Sequence, residues 1–173
     1  LYLTPQFTER TKALIELAFE GDSAEGTIAT DLERLQFGYT FNDLASVWVG
    51  RFHSPFGYWN TAYHHGAQIQ TSVLRPKFLD FEDKGGIIPA HMVGLLASGL
   101  IPAGKGKIVY DAYLGNGSRI VDDALDPNIT RDDNSNKALG ANVGYRFSGA
   151  LSGLQIGGHL ATQQVNSYSG STL

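Results

Sequence analysis

Four of the chain's 5 histidines, His53, His64, His65 and His91, lie between residues 53 and 91, beside Asp80, Glu82, Asp83, Arg75, Lys77 and Lys84. Imidazole is a common ligand for zinc or copper and a common general base. The spacing favours neither use. Vicinal His64 and His65 point opposite ways on an extended segment, and no i, i+4 pair exists for a helix to turn toward one ion. The carboxylates at 80, 82 and 83 neighbour Lys77 and Lys84, which suggests local pairing, and no Ser, His and Asp signature of nucleophilic catalysis is present. A rim enzyme would use His65 or His91 as its base. The expectation is no enzyme, no metal and no cofactor.

Two further segments imitate known ligand sites. Gly99 to Lys105 copies most of a phosphate-binding P-loop, but Gly106 stands where Ser or Thr should hold magnesium, and a strand follows where a helix is needed. Asp132, Asn134 and Asn136 match the start of a calcium loop, but Lys137 replaces its Gly and Val143 its bidentate Glu. Pro102, Gly104 and Gly106 then read as turn chemistry, and residues 116–136 as an acidic, solvated external loop.

Composition narrows the classes further. With 173 residues, net charge −4 and no Cys, the chain has neither the basic footprint of a nucleic-acid binder nor thiolates for redox chemistry or zinc fingers. Apolar residues never run long enough for a spanning helix, since roughly 18 in succession are needed.

The elements that would position these residues are strands. Leu1 to Phe7 alternates with a two-residue period; Ala13, Ile15, Leu17 and Phe19 oppose Lys12, Glu16 and Glu20. Leu35, Phe37, Tyr39 and Phe41 oppose Arg34, Gln36, Gly38 and Thr40, and the run stops at the turn pair Asn42-Asp43. Leu44, Trp48 and Phe52 read as one face of the next strand, with Arg51 on the other. Further strands are expected over 91–98, 107–115, 139–147 and 154–163.

The connections alternate in length. Asn42-Asp43, Gly99 to Gly106 and Ser148 to Gly153 are compact; Gly21 to Ile28, His53 to Ala90 and Asn116 to Asn136 are longer. An up-and-down meander puts successive links at opposite ends, and transmembrane β-barrels have this asymmetry of short turns and long loops. The expected fold is therefore an all-β, antiparallel up-and-down transmembrane β-barrel, with residues 1–173 part of a single barrel domain and a partial chain of a larger barrel. Tyr39, Phe41, Tyr145 and Phe147 all precede compact turns, as an interfacial aromatic girdle would. The apolar rows would face lipid and the polar rows a lumen, lined by Glu16, Arg34, Arg51, Asp111, Arg146 and His159, with Gly38, Gly140, Gly144 and Gly157 leaving room. Residues 53–90 form an aromatic-rich loop, expected to fold into the lumen as a constriction carrying His64, His65, Arg75 and Lys77. A soluble ligand-binding barrel would invert the faces.

The stretch Gly50-Arg51-Phe52-His53-Ser54-Pro55-Phe56-Gly57-Tyr58-Trp59-Asn60, with His64-His65-Gly66, Arg75-Pro76 and Gly85-Gly86-Ile87-Ile88-Pro89-Ala90-His91, resembles bacterial outer-membrane porins of the phosphate-selective group. The likeness spans about residues 30 to 165. It implies a homotrimeric barrel in a Gram-negative outer membrane, in contact with membrane lipids and passing small hydrophilic solutes or anions. The Arg ladder and Lys cluster of phosphate-selective members are not matched here. The chain opens without Met and ends in polar Ser167 to Leu173 without a closing aromatic strand, so further strands are expected outside it. A scaffold barrel sheathing a partner protein is the other use of such a wall.

Overall fold

A computed structural model describes residues 1–22, 26–56, 60–61, 77–79, 86–121, 124–126 and 135–166. The strands are β1 (Tyr2–Leu3), β2 (Thr11–Asp22), β3 (Thr27–Asn42), β4 (Ala45–His53), β5 (His91–Ala103), β6 (Gly106–Asn116), β7 (Arg119–Val121), β8 (Ala124–Asp126), β9 (Lys137–Arg146) and β10 (Gln155–Thr162). Eight of them form one sheet in the order β1-β2-β3-β4-β5-β6-β9-β10, and β7 pairs with β8 in a separate hairpin. Every ladder is antiparallel. The protein is thus all-β and a near-pure meander. Among the described residues β1 and β10 each pair with one neighbour, so the sheet is open and no closed barrel is formed by them.

The compact links fall at one end, as alternation requires. Asn42 Oδ1 accepts the N–H groups of Leu44 and Ala45 at 2.9 and 3.1 Å, an Asx turn that reverses the chain between β3 and β4. β5 runs on to Ala103 and β6 starts at Gly106, so the link expected over 99–106 shrinks to Gly104-Lys105. At the opposite end, the link expected to be long over 21–28 contracts as well, because β2 continues to Asp22 and β3 begins at Thr27, so the asymmetry of loop length does not hold there. The strand expected over 1–7 is cut to Tyr2–Leu3 and a Gln6–Lys12 bridge. Pro5, which has no N–H for the ladder, interrupts it, although its carbonyl still accepts from Ala13 N at 2.9 Å. Residues 116–136, expected as a plain loop, contain the β7–β8 hairpin, pinned by Arg119 Nε to Asp126 Oδ2 at 3.3 Å.

The two faces differ sharply. Phe37, Val49, Leu95, Leu114 and Leu139 are successive cross-strand neighbours from β3 to β9. They are 49%, 50%, 47%, 40% and 51% exposed. Val143, Ile156 and Leu160 continue that exposed apolar surface. The opposite face holds the buried cluster of Phe52, Met92, Tyr113 and Ala138 with Leu96 against it. Trp48 and Phe52 belong to this second face, contrary to their expected place in the apolar row. Pairing with β3 sets their phase: Phe37 lies opposite Val49 and Gly38 opposite Trp48. Two glycines expected to leave space are instead covered by rings. A Cβ on Gly38 would meet the Trp48 ring at 2.5 Å, and one on Gly140 the Tyr113 ring at 2.2 Å. Among the described residues no helix is long and apolar enough to cross a membrane.

Candidate functional site

Strand register builds a polar belt across the second face. Thr40, Ser46, Ser98, Asp111, Asn142 and His159 are consecutive cross-strand partners from β3 to β10. Side chains opposite one another share a face, so six separate stretches of sequence converge on one stripe. Ser46 Oγ donates to Thr40 Oγ1 at 3.1 Å, and Asn142 Nδ2 donates to Asp111 Oδ2 at 3.3 Å. Beside the stripe, Arg146 is the partner of both Lys107 and Gln155, and its Nε donates to Gln155 Oε1 at 3.1 Å. Asp111, Asn142, Arg146, Gln155, His159 and the loop residue Thr61 line an open cleft of about 840 Å³. The cleft combines a carboxylate, a guanidinium, amides and an imidazole, which hydrate or bind small polar solutes.

Two residues from the start of the long connection, Phe56 and Thr61, lie against this same face. Phe56 packs edge-on against the His159 ring at a centroid distance of 3.9 Å, while Tyr113 Oη lies 3.0 Å from His159 Nε2. On a flat sheet, β4 and β10 would run about 19 Å apart, four strand spacings of about 4.8 Å, and the register offsets His159 from His53 further still along the strands. Phe56 is three residues past His53, so the contact requires the sheet to curl around the loop. At the loop's root, Ser54 N–H donates to Ala90 O at 2.9 Å, and Asn60 Nδ2 donates to Ser54 O and Ala90 O at 2.8 and 3.0 Å.

A second cluster sits at the loop-bearing rim. Glu16 Oε2 accepts from Arg34 Nε at 2.6 Å and lies 4.0 Å from His53 Nε2; the Arg34 guanidinium also rests over the Tyr2 ring. Both charged groups are mostly buried, with side chains 10% and 20% exposed. Glu33 Oε2 lies 2.7 Å from His91 Nε2, and the rings of His53 and His91 are 5.0 Å apart. One donor atom each from Glu33, His53 and His91 can be chosen so that all three lie within 4.8 Å of one another. His53 and His91 are direct cross-strand partners, and continuing the β3–β4 register past Leu35–Arg51 puts Glu33 opposite His53.

Backbone irregularities sit beside this cluster. The β2–β3 register slips between Glu16 and Leu17, leaving Glu33 as the extra residue. Such bulges re-aim a side chain and increase local twist. Gly50, at φ 130, occupies a conformation hostile to L side chains, and a Cβ there would come within 2.0 Å of Leu35 O.

Of the residues expected to line a pore, Asp111, Arg146 and His159 share the cleft, and Glu16 and Arg34 pair at the rim. Arg51, expected on the polar side, is instead in register with Leu35 and Val93 and shares the strand parity of the Val49 row, because Trp48 and Phe52 take the other face; its Nε donates to Glu33 O at 3.1 Å. Lys77 is exposed on a short 3-10 turn, Lys77–Leu79. His64, His65 and Arg75 lie outside the described residues. Sequence spacing set the histidines aside as ligands and passed over Glu33. The one available signal was that His53 ends one strand while His91 begins its antiparallel neighbour. Comparisons with known protein families, curated proteins and solved structures find no match to this chain.

Proposed function

We propose that this chain is a wall segment of a bacterial outer-membrane porin, a passive channel for small hydrophilic or anionic solutes, akin to the phosphate-selective group and working as a homotrimer. The observation that carries the reading is the inverted distribution of side chains. Water-soluble monomers rarely expose apolar patches beyond a few hundred Å². Here whole cross-strand rows such as Phe37-Val49-Leu95-Leu114-Leu139 are half exposed, while the Glu16–Arg34 pair is mostly buried. A lipid environment makes that arrangement favourable, because hydrocarbon solvates the apolar rows and a watery lumen solvates the belt.

Element lengths and aromatics support the same reading. Transmembrane strands need about 9 to 11 residues, and β5, β6 and β9 have 13, 11 and 10. Tyr39 and Phe41 stack edge-to-face at 5.0 Å, and Tyr145 and Phe147 at 4.8 Å, both pairs next to compact turns. Tyr145 and Tyr110 donate their hydroxyls to Ala103 O and Leu44 O at 2.9 and 3.0 Å, at that same end. A ring in the apolar layer with its hydroxyl at the polar boundary suits an interface. In this reading the loop root and Phe56 narrow the passage, and no catalysis is required.

The test is conductance of the full-length protein in planar bilayers. Unit steps are expected, with Arg146→Glu shifting ion preference toward cations because it reverses charge in the cleft. Partition into the aqueous phase without detergent would overturn the reading in favour of a soluble barrel. Membrane insertion without unit steps would overturn it in favour of a sheath for a partner protein.

A further inference from the structure

We propose that Glu33, His53 and His91 form a binding site for a divalent transition-metal ion, with zinc as the best fit, that clamps the root of the long connection to the sheet. The inference stands on the rim geometry alone and holds whether or not the chain conducts.

Two imidazoles and one carboxylate are a donor set suited to zinc and its first-row neighbours, whereas calcium and magnesium prefer all-oxygen shells. The ligands come from β3, β4 and β5, and all three residues are buried: Glu33 is 4% exposed, His53 7% and His91 1%. Burial keeps competing water out. Bonds of about 2.0–2.1 Å at tetrahedral angles separate donor atoms by about 3.3 Å. The structure has them within 4.8 Å of one another, so side-chain rotation of about an ångström would complete the triad. Glu16, whose Oε2 is 4.0 Å from His53 Nε2, is near enough to orient that ring or to approach the ion itself.

The backbone at this point favours a built site over chance crowding. The β3 bulge delivers Glu33, and Gly50 takes a φ of 130 three residues before His53. His53 and His91 immediately bracket Ser54 and Ala90, whose hydrogen bond closes the base of the long connection. An ion bound there would join both loop roots to β3 and stiffen whatever the loop does.

The experiment uses full-length protein in detergent, stripped with EDTA and titrated with zinc chloride by calorimetry, with elemental analysis of the washed product. One zinc per chain is expected. Glu33→Gln, His53→Gln and His91→Gln should each weaken binding by more than about tenfold, a loss that removing even an outer partner can cause. His159→Gln and the His64→Gln/His65→Gln double variant should bind as the parent does. Zinc should raise the thermal midpoint of the parent and not of Glu33→Gln. Equal binding by parent and Glu33→Gln, or loss confined to the His64/His65 variant, would overturn the proposal. Should His91→Gln fail to assemble, cobalt substitution of the parent decides: intense tetrahedral d–d bands support the site, and the pale spectrum of hydrated cobalt defeats it.

Discussion

The two faces of the sheet are made from the same strands, yet they follow opposite rules. On one, Phe37, Val49, Leu95, Leu114 and Leu139 stand in a row with about half their surface open. On the other, Met92 and Phe52 are sealed, and polar residues from Thr40 to His159 form a belt that ends under the Phe56 ring at His159. Side-chain period is the same on both, so alternation by itself assigns no inside. What separates them among the described residues is that Phe56 and Thr61, from the start of the long connection, lie against the polar face, while the apolar rows stay about half exposed.

The largest expected effect breaks this contrast directly. Leu139→Arg puts a charge on the apolar face, six residues along β9 from Tyr145, and should destabilise the folded protein in lipid by about 3 kcal/mol, in the range for cations near a bilayer midplane. The same change should be near neutral if water bathes that face, so denaturant unfolding in vesicles distinguishes the two. Next comes the polar side. Arg34→Met strands the mostly buried Glu16 carboxylate, and a loss of about 2 kcal/mol is expected, below the full cost for a completely buried pair because both groups retain some exposure. The double change with Glu16→Leu should recover most of it.

A smaller effect sharpens the contrast within the polar face. Gly140→Ala pushes a methyl into the Tyr113 ring, which covers the glycine and also reaches His159. Overpacking of this kind costs about 1–2 kcal/mol, and the accompanying shift of the Tyr113 ring should show in near-UV circular dichroism. Smallest is Arg119→Ala, which removes a partly exposed pair with Asp126 in the β7–β8 hairpin. Less than about 1 kcal/mol is expected, and it should fade further in high salt. A large loss there would mean that the hairpin packs on the main sheet.

Local patterning made the strands legible. Rows such as Leu35-Phe37-Tyr39-Phe41 and Leu139-Ala141-Val143-Tyr145 carry their period within a few residues, and Asn42 marks its own turn by side-chain hydrogen bonding. The polar residues of the cleft, Asp111, Arg146 and His159, were visible for the same reason. β4 was the exception, because Trp48 and Phe52 are apolar residues on the polar face, and only pairing with Gly38 and Met92 reveals their side. The rim cluster was hidden more deeply. His53 and His91 are separated by the whole loop, and Glu33 reaches them through a bulge that no dipeptide announces.

By itself, then, the amino-acid order determined an antiparallel meander with compact turns at one end, since period and turn chemistry are properties of neighbouring residues. Register, the bulge at Glu33, the covering of Gly38 and Gly140 by rings, and the meeting of Glu33 with His53 and His91 were decided only in three dimensions. Each depends on which residues stand across a ladder, and hydrogen bonding between strands sets that relation over distances along the chain that local preference cannot reach.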